Sequence, residues 1–379
     1  MKKNDGLNDN DVINNDEIKS IFLSGLILTL MGIPLTLFLF KFGEPLLNFL
    51  VSSDSDQNVV KGAISYLNIR SISLVCTLLN DVVFGFSLGL QNITAPMYSI
   101  IIAFIANVIG DIVLIKYLGL GLKGAAYATT FSTVLGSSVG LYVLLKRYQL
   151  LNNPKKLLKQ LDISKMKDFF RTSTTLFVGT MLNTLTYSSG ASISSFAKNK
   201  VSNTIDIAAF QILMQQWWLL SYFSSPVGLI GQALLPKEIK AGDFKKSKFI
   251  VTILMKLAVV VAFFTTSVVT LVPSLFPSFF TRDLLVQQAF QKEIFAVALS
   301  LFIICITTVQ DGIYIGSGRI YDYVMAGGFS TSFAWIYFIY SIYARLGVHG
   351  AWNGLLIFSI VRFIWYAFRW PKLWRGFKE

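Results

Sequence analysis

Charged residues are scarce in this chain: 14% of its 379 residues, against 54% hydrophobic ones, with a mean hydropathy of +0.61. Soluble domains carry roughly 25% charged residues, so a water-soluble fold of this size could not hide so much apolar surface. Cysteine is nearly absent as well. Cys76 and Cys305 both fall inside apolar blocks, which excludes a disulfide framework. The single histidine, His349, has no Cys or His beside it and offers no metal-ligand set. Catalytic signatures are missing too. There is no Gly-x-x-x-x-Gly-Lys-Ser/Thr phosphate loop, no Gly-x-Ser-x-Gly elbow and no metalloprotease helix motif. The expectation is a protein that is not an enzyme and carries no cofactor. The start, Met1 to Ser20, is polar and rich in Asn and Asp, with no apolar core of a signal peptide. It reads as an inter-helix loop.

The apolar residues come in long continuous blocks, each able to cross a hydrocarbon core of about 30 Å as a helix of about 20 residues. Barrel strands would alternate with period two, and these blocks do not. The reading is an all-α polytopic membrane protein with about ten transmembrane helices, at 20–41, 64–88, 95–116, 124–145, 168–196, 205–235, 249–274, 290–315, 321–344 and 349–369. Basic residues favour cytosolic loops. With the N-terminus in the cytosol, the cytosolic segments hold 21 Lys and Arg and the opposite side 9. That bias fits ten spans with both termini cytosolic. It also accounts for the net charge of +13 without a nucleic-acid partner.

The longest polar stretch, Lys146 to Arg171, contains Asn152-Asn153-Pro154-Lys155-Lys156 and separates four spans from six. The expected organisation is a polar cytosolic N-terminus (1–19), an N-lobe of four helices (20–145), a cytosolic linker (146–167), a C-lobe of six helices (168–370) and a cytosolic tail (371–379). The lobes resemble each other. Gly85-Phe86-Ser87-Leu88-Gly89 corresponds to Gly312-Ile313-Tyr314-Ile315-Gly316, an offset of 227. Leu120-Gly121-Leu122-Lys123-Gly124-Ala125 corresponds to Leu346-Gly347-Val348-His349-Gly350-Ala351, an offset of 226. Two pseudo-symmetric lobes follow, 4 + 6, in which the two spans of 168–235 have no upstream counterpart. A six-plus-six repeat would place two more helices before Met1.

Several segments, in this order, resemble the multidrug and toxic compound extrusion (MATE) family. They are Tyr66-Leu67-Asn68-Ile69-Arg70, Gly85 to Gln91, Ala95-Pro96, Asn107-Val108-Ile109-Gly110-Asp111 and Gly121 to Thr129. In the second lobe, Ala208-Ala209-Phe210-Gln211-Ile212, Gly231-Gln232-Ala233-Leu234 and Gln310-Asp311-Gly312-Ile313-Tyr314-Ile315-Gly316 continue the pattern. The phrasing is nearest the DinF-like branch, and about two N-terminal helices of the family are lacking. The resemblance implies two lobes around a central cleft, alternating access, and export of small organic compounds, cationic or amphipathic, in exchange for H⁺ or Na⁺. It implies an integral multi-pass location in a plasma or organellar membrane, the plastid included, with the lipid bilayer, an organic substrate and the coupling ion as partners. The family's coupling aspartate of the first helix has no equivalent here. Acids found elsewhere in the family are replaced by Ser224-Ser225-Pro226 and by the stretch Asn183 to Tyr187. A truncated, transport-inactive paralogue with a scaffold role is the rival expectation.

Charges inside a membrane are costly and mark function by default. Asp311, Asp111 and Asp81 fall within spans and are the candidates for cation or proton coupling, Asp311 first. For each, a role tying helices together is the competing reading. Asn183, Tyr187, Gln211, Gln215 and Trp218 form a polar and aromatic set that could line a substrate cleft. Arg70, Lys256 and Arg362 read as side chains that snorkel to the interface. Asp206 and Glu293 lie near span starts, where helix N-termini favour acids.

Overall fold

The computed structural model describes residues 16–50, 57–148, 163–196 and 200–376. Most of the expected polar N-terminus (1–15), most of the linker and the end of the tail lie outside them. The described residues are helical throughout and divide into two compact units, Met1–Asp168 and Phe169–Glu379.

The first unit contains α1 (Asp16–Thr29), α2 (Gly32–Leu50), α3 (Gln57–Ser71), α4 (Leu74–Gly89), α5 (Thr94–Asp111) and α6 (Gly121–Tyr148). A single π-helical stretch, Ile112–Tyr117, extends α5. The unit boundary falls in the second turn of α7 (Ile163–Ser194). The second unit continues with α8 (Lys200–Ser221), α9 (Ser225–Lys240), α10 (Phe244–Leu275), α11 (Leu284–Gly316), α12 (Ile320–Ala344) and α13 (Gly347–Arg375).

Among the described residues, seven helical stretches are long and apolar enough to cross a bilayer, or eight with the bent pair α3–α4. They correspond to eight of the ten expected spans. The other two, α7 and α12, are 32 and 25 residues long, enough to cross. The outward faces are apolar, as lipid requires: Phe263, Phe264, Ile336, Ile339 and Phe368 are all exposed.

In lipid, broken backbone must find its hydrogen bonds within the protein. The α3–α4 span bends by 52° after Ser71. Hydroxyls take up the freed carbonyls: Thr36 Oγ1 donates to Ser71 O at 2.8 Å, and Ser73 Oγ donates to Arg70 O at 2.8 Å. Arg70 lies at this bend, about 15 Å along the helix from Val60, and its Nη1 donates to Ser73 Oγ at 3.1 Å. It therefore sits deep in the span instead of snorkelling from its end.

The lobe resemblance read from glycines extends to the backbone. At the end of α4, Leu90 N bonds Phe86 O, Gln91 N bonds Leu88 O and Asn92 N bonds Ser87 O. At the end of α11, Ser317 N bonds Ile313 O, Gly318 N bonds Ile315 O and Arg319 N bonds Tyr314 O. The offset is 227 for every partner. Gln91 and Gly318 both adopt positive φ, 54° and 72°. The second motif behaves alike: Gly121 and Gly347 have φ of 52° and 56° and open α6 and α13. A left-handed residue at each place ends one span and starts the next, which is the physical reason for glycine at 121, 318 and 347, whereas Gln91 adopts the same conformation without one.

α11 is the central helix of the second unit. Val297, Leu301, Cys305, Val309 and Ile313 along it are fully buried. Lipid supplies no hydrophobic drive between helices, so close packing of small residues must hold them together. Gly312 and Gly316 of α11 lie against Gly228 and Gly231 of α9, and a methyl added at Gly312 would overlap the Gly228 backbone. Gly312→Ala is expected to cost about 1–3 kcal/mol, read as a lowered Tm in detergent; Gly328, with open space around its Cα, is the control position for the same substitution.

Candidate functional site

The second unit holds a polar centre inside its helices. Arg362, in the middle of α13, is 1% exposed and so does not reach an interface. Its Nη2 lies 2.8 Å from both carboxylate oxygens of Asp311 on α11, and its Nε lies 3.3 Å from Oδ1. A guanidinium can grip a carboxylate in this planar way where an ammonium cannot. Nη1 donates to Asn183 Oδ1 of α7 at 2.7 Å. The Tyr366 hydroxyl donates to Asp311 Oδ1 in a short hydrogen bond. Arg362 and Tyr366 are one helical turn apart, which puts both on the face of α13 that meets Asp311.

Aromatic rings complete the shell. Tyr366 stacks on Tyr314 with centroids 4.6 Å apart. The Arg362 guanidinium lies 5.6 Å from the Tyr323 ring and 5.7 Å from that of Phe358, within cation–π reach. Gly327 of α12 lets Asn183 come close, since a methyl there would stand 3.1 Å from its Oδ1. Four helices, α7, α11, α12 and α13, thus surround one ion pair. The guanidinium is almost sealed, but the Asp311 side chain keeps 19% of its surface exposed. Of the two side chains, that of Asp311 is the less buried.

Beside this pair, α7 and α8 frame an open pocket of about 170 Å³, lined by Thr184, Tyr187, Ser188, Ala191, Phe210, Gln211, Met214 and Trp218. Tyr187 links pocket and pair: its ring lies 5.3 Å from Trp218 and 5.3 Å from Phe358, which flanks Arg362. Of the sequence-derived cleft set, Tyr187, Gln211 and Trp218 line this pocket. Asn183 instead holds Arg362, and Gln215 is exposed on α8 outside the lining.

The other two aspartates lie in the first unit, apart from each other. Asp81 is exposed on α4. Asp111 closes α5 where it passes into the π-helical stretch, and its Oδ1 is buried without a hydrogen-bond partner. One turn earlier, Asn107 Nδ2 donates to Thr129 Oγ1 of α6 at 3.2 Å. π-helical insertions recur at functional sites. Sequence reasoning missed Arg362, Tyr366 and Tyr314. The available signal was a lone arginine halfway along an apolar block, with a tyrosine four residues on.

Residues 14–113 match the MatE family model. Protein DETOXIFICATION 42 of Arabidopsis thaliana is 25% identical over 88% of this chain and 62% of its own length. The chloroplastic Protein DETOXIFICATION 44 of the same plant is 24% identical over 76% of this chain and 54% of its own. DNA damage-inducible protein F of Escherichia coli is 31% identical, but over only 27% of this chain and 22% of its own. The chain thus spans about half to three-fifths of the length of its plant relatives. Among solved structures, a eukaryotic MATE transporter superposes with a TM-score of 0.80 at 16% identity, covering 96% of this chain and 81% of that one. A Pyrococcus furiosus transporter of the MOP superfamily gives 0.72 at 17% identity, covering 98% and 82%. By its partial family match, its relatives and its fold, this chain is a multi-pass membrane protein similar to the multidrug and toxic compound extrusion family.

Proposed function

We propose that the protein is a secondary active transporter that exports small organic compounds, cationic or amphipathic, in exchange for H⁺ or Na⁺. The observation that carries this reading is the Asp311–Arg362 pair: an acid inside a span, partly accessible, whose internal cation can be exchanged for an external one. In one state Arg362 neutralises Asp311. In the other a proton or metal cation takes the carboxylate, and Arg362 falls back on Asn183 and the rings of Tyr323 and Phe358. Such a site has two discrete arrangements, which coupling requires. The pocket framed by Tyr187, Gln211 and Trp218 offers aromatic faces and an amide to an amphipathic cation. The bilayer and the coupling ion complete its partners.

The test is efflux of a fluorescent organic cation, such as ethidium, from proteoliposomes under an imposed H⁺ or Na⁺ gradient. Gradient-dependent efflux above that of protein-free vesicles is expected; efflux equal to theirs under both gradients sinks the proposal. The second reading, a transport-inactive paralogue with a scaffold role, is favoured by one feature: Arg362 and Tyr366 already satisfy both oxygens of Asp311. It predicts that negative result in a protein that is nonetheless folded.

A further inference from the structure

The second unit contains another buried acid, far along α11 from Asp311. Glu293, in the third turn of α11, has a side chain only 5% exposed. Its Oε1 and Oε2 lie 3.2 and 3.1 Å from Nδ1 of His349. His349 is the only histidine of the chain and stands in the first turn of α13, its side chain 59% exposed. Its Nε2 lies 2.8 Å from the amide of Asn353, one turn further along α13. A line of hydrogen bonds therefore runs from a sealed carboxylate, through an imidazole, to the surface.

The surroundings hold few other charges. Lys292 neighbours Glu293 on α11 and is exposed, and Arg345 is exposed just before α13. Asp206 of α8 is a second acid facing the site: its Oδ2 accepts from Val348 N, next to His349, at 3.1 Å, and its charge acts on Glu293. α10 carries no charged residue from Leu257 to Leu275, and α12 none from Tyr323 to Ala344, where tyrosines are the sole titratable groups. The contrast with the first site is chemical. Asp311 is paired with an arginine, which stays charged at any physiological pH. Glu293 is paired with the one side chain whose ordinary charge change falls near neutral pH.

We propose that Glu293 and His349 form a proton-binding site separate from Asp311, which takes up and releases one proton at the end of the unit where α11 and α13 begin. With the neutral ring donating Nδ1–H to Glu293, the arriving proton goes to Nε2. Asn353 then turns its amide oxygen toward the new N–H, and the imidazolium is held by the carboxylate. On release the steps reverse, and no other group changes. Resting on the transporter reading, this names H⁺ as a coupling ion.

Two measurements test it. The first needs no transport: amide hydrogen exchange of residues 345–353 in lipid nanodiscs, at about pH 5 and about pH 8, corrected for intrinsic exchange. The wild type is expected to change protection by about tenfold or more between the two. His349→Gln, at an exposed position that should leave the fold intact, and Glu293→Gln, of nearly the same shape, should each reduce the change to under about twofold. A flat wild-type response, or an unaltered response in folded His349→Gln, overturns the site. The second is H⁺-gradient-driven ethidium efflux, which should be lost in both variants. An intact exchange response in a wild type that moves no ethidium upholds the proton site and removes the transporter reading instead. H⁺-driven efflux undiminished in both variants overturns the coupling role.

Discussion

Arg362→Met is expected to destabilise the second unit by about 3–5 kcal/mol. The substitution keeps an apolar stem of similar length in a site that is 1% exposed, so lost packing contributes little. The cost comes from Asp311, whose carboxylate would remain among helices with only the Tyr366 hydroxyl to satisfy it. Breaking a buried pair from one side costs far more than removing both members, because the survivor stays uncompensated. The double variant Asp311→Asn/Arg362→Met should therefore recover most of the loss. Chemical denaturation in detergent micelles, followed through the tryptophans, measures each corner of that cycle. Additive single losses would mean that the two residues do not act as a pair.

Asp311→Asn is expected to cut ion-coupled efflux by at least about tenfold. Asparagine fills the same volume but can neither release a proton nor exchange Arg362 for a metal cation. The same substitution leaves the buried Arg362 without a carboxylate, facing only the neutral amide oxygens of Asn183 and of the introduced asparagine, so it also lowers stability. Efflux must accordingly be normalised to folded protein. A loss of rate that merely tracks a loss of folded protein would mark Asp311 as a tie between α11 and α13.

Much of the helix order was legible because lipid enforces simple rules. A block such as 249–274 must be one helix, and Gly121 and Gly347 mark turns because left-handed backbone calls for glycine. What escaped was depth and pairing. Arg362 and Arg70 look like snorkelling residues when only their distance from a span end is known; one is sealed by α7 and α11, the other sits at a bend. Nothing in the sequence joins residue 311 to 362 or 293 to 349, because such contacts are set by how helices rotate against each other. The break between α3 and α4 was equally hidden, since Ser71-Ile72-Ser73 is compatible with a continuous helix until Thr36 supplies a partner for the freed carbonyl.

Structural and coupling roles of the Asp311–Arg362 pair separate most cleanly in the Asp311→Asn/Arg362→Met protein. Its gradient-driven ethidium efflux should be compared with wild type in proteoliposomes holding equal amounts of folded protein. A coupling site predicts that the double variant, although it recovers most of the lost stability, still fails to use the gradient. Wild-type coupled efflux from that protein would contradict it.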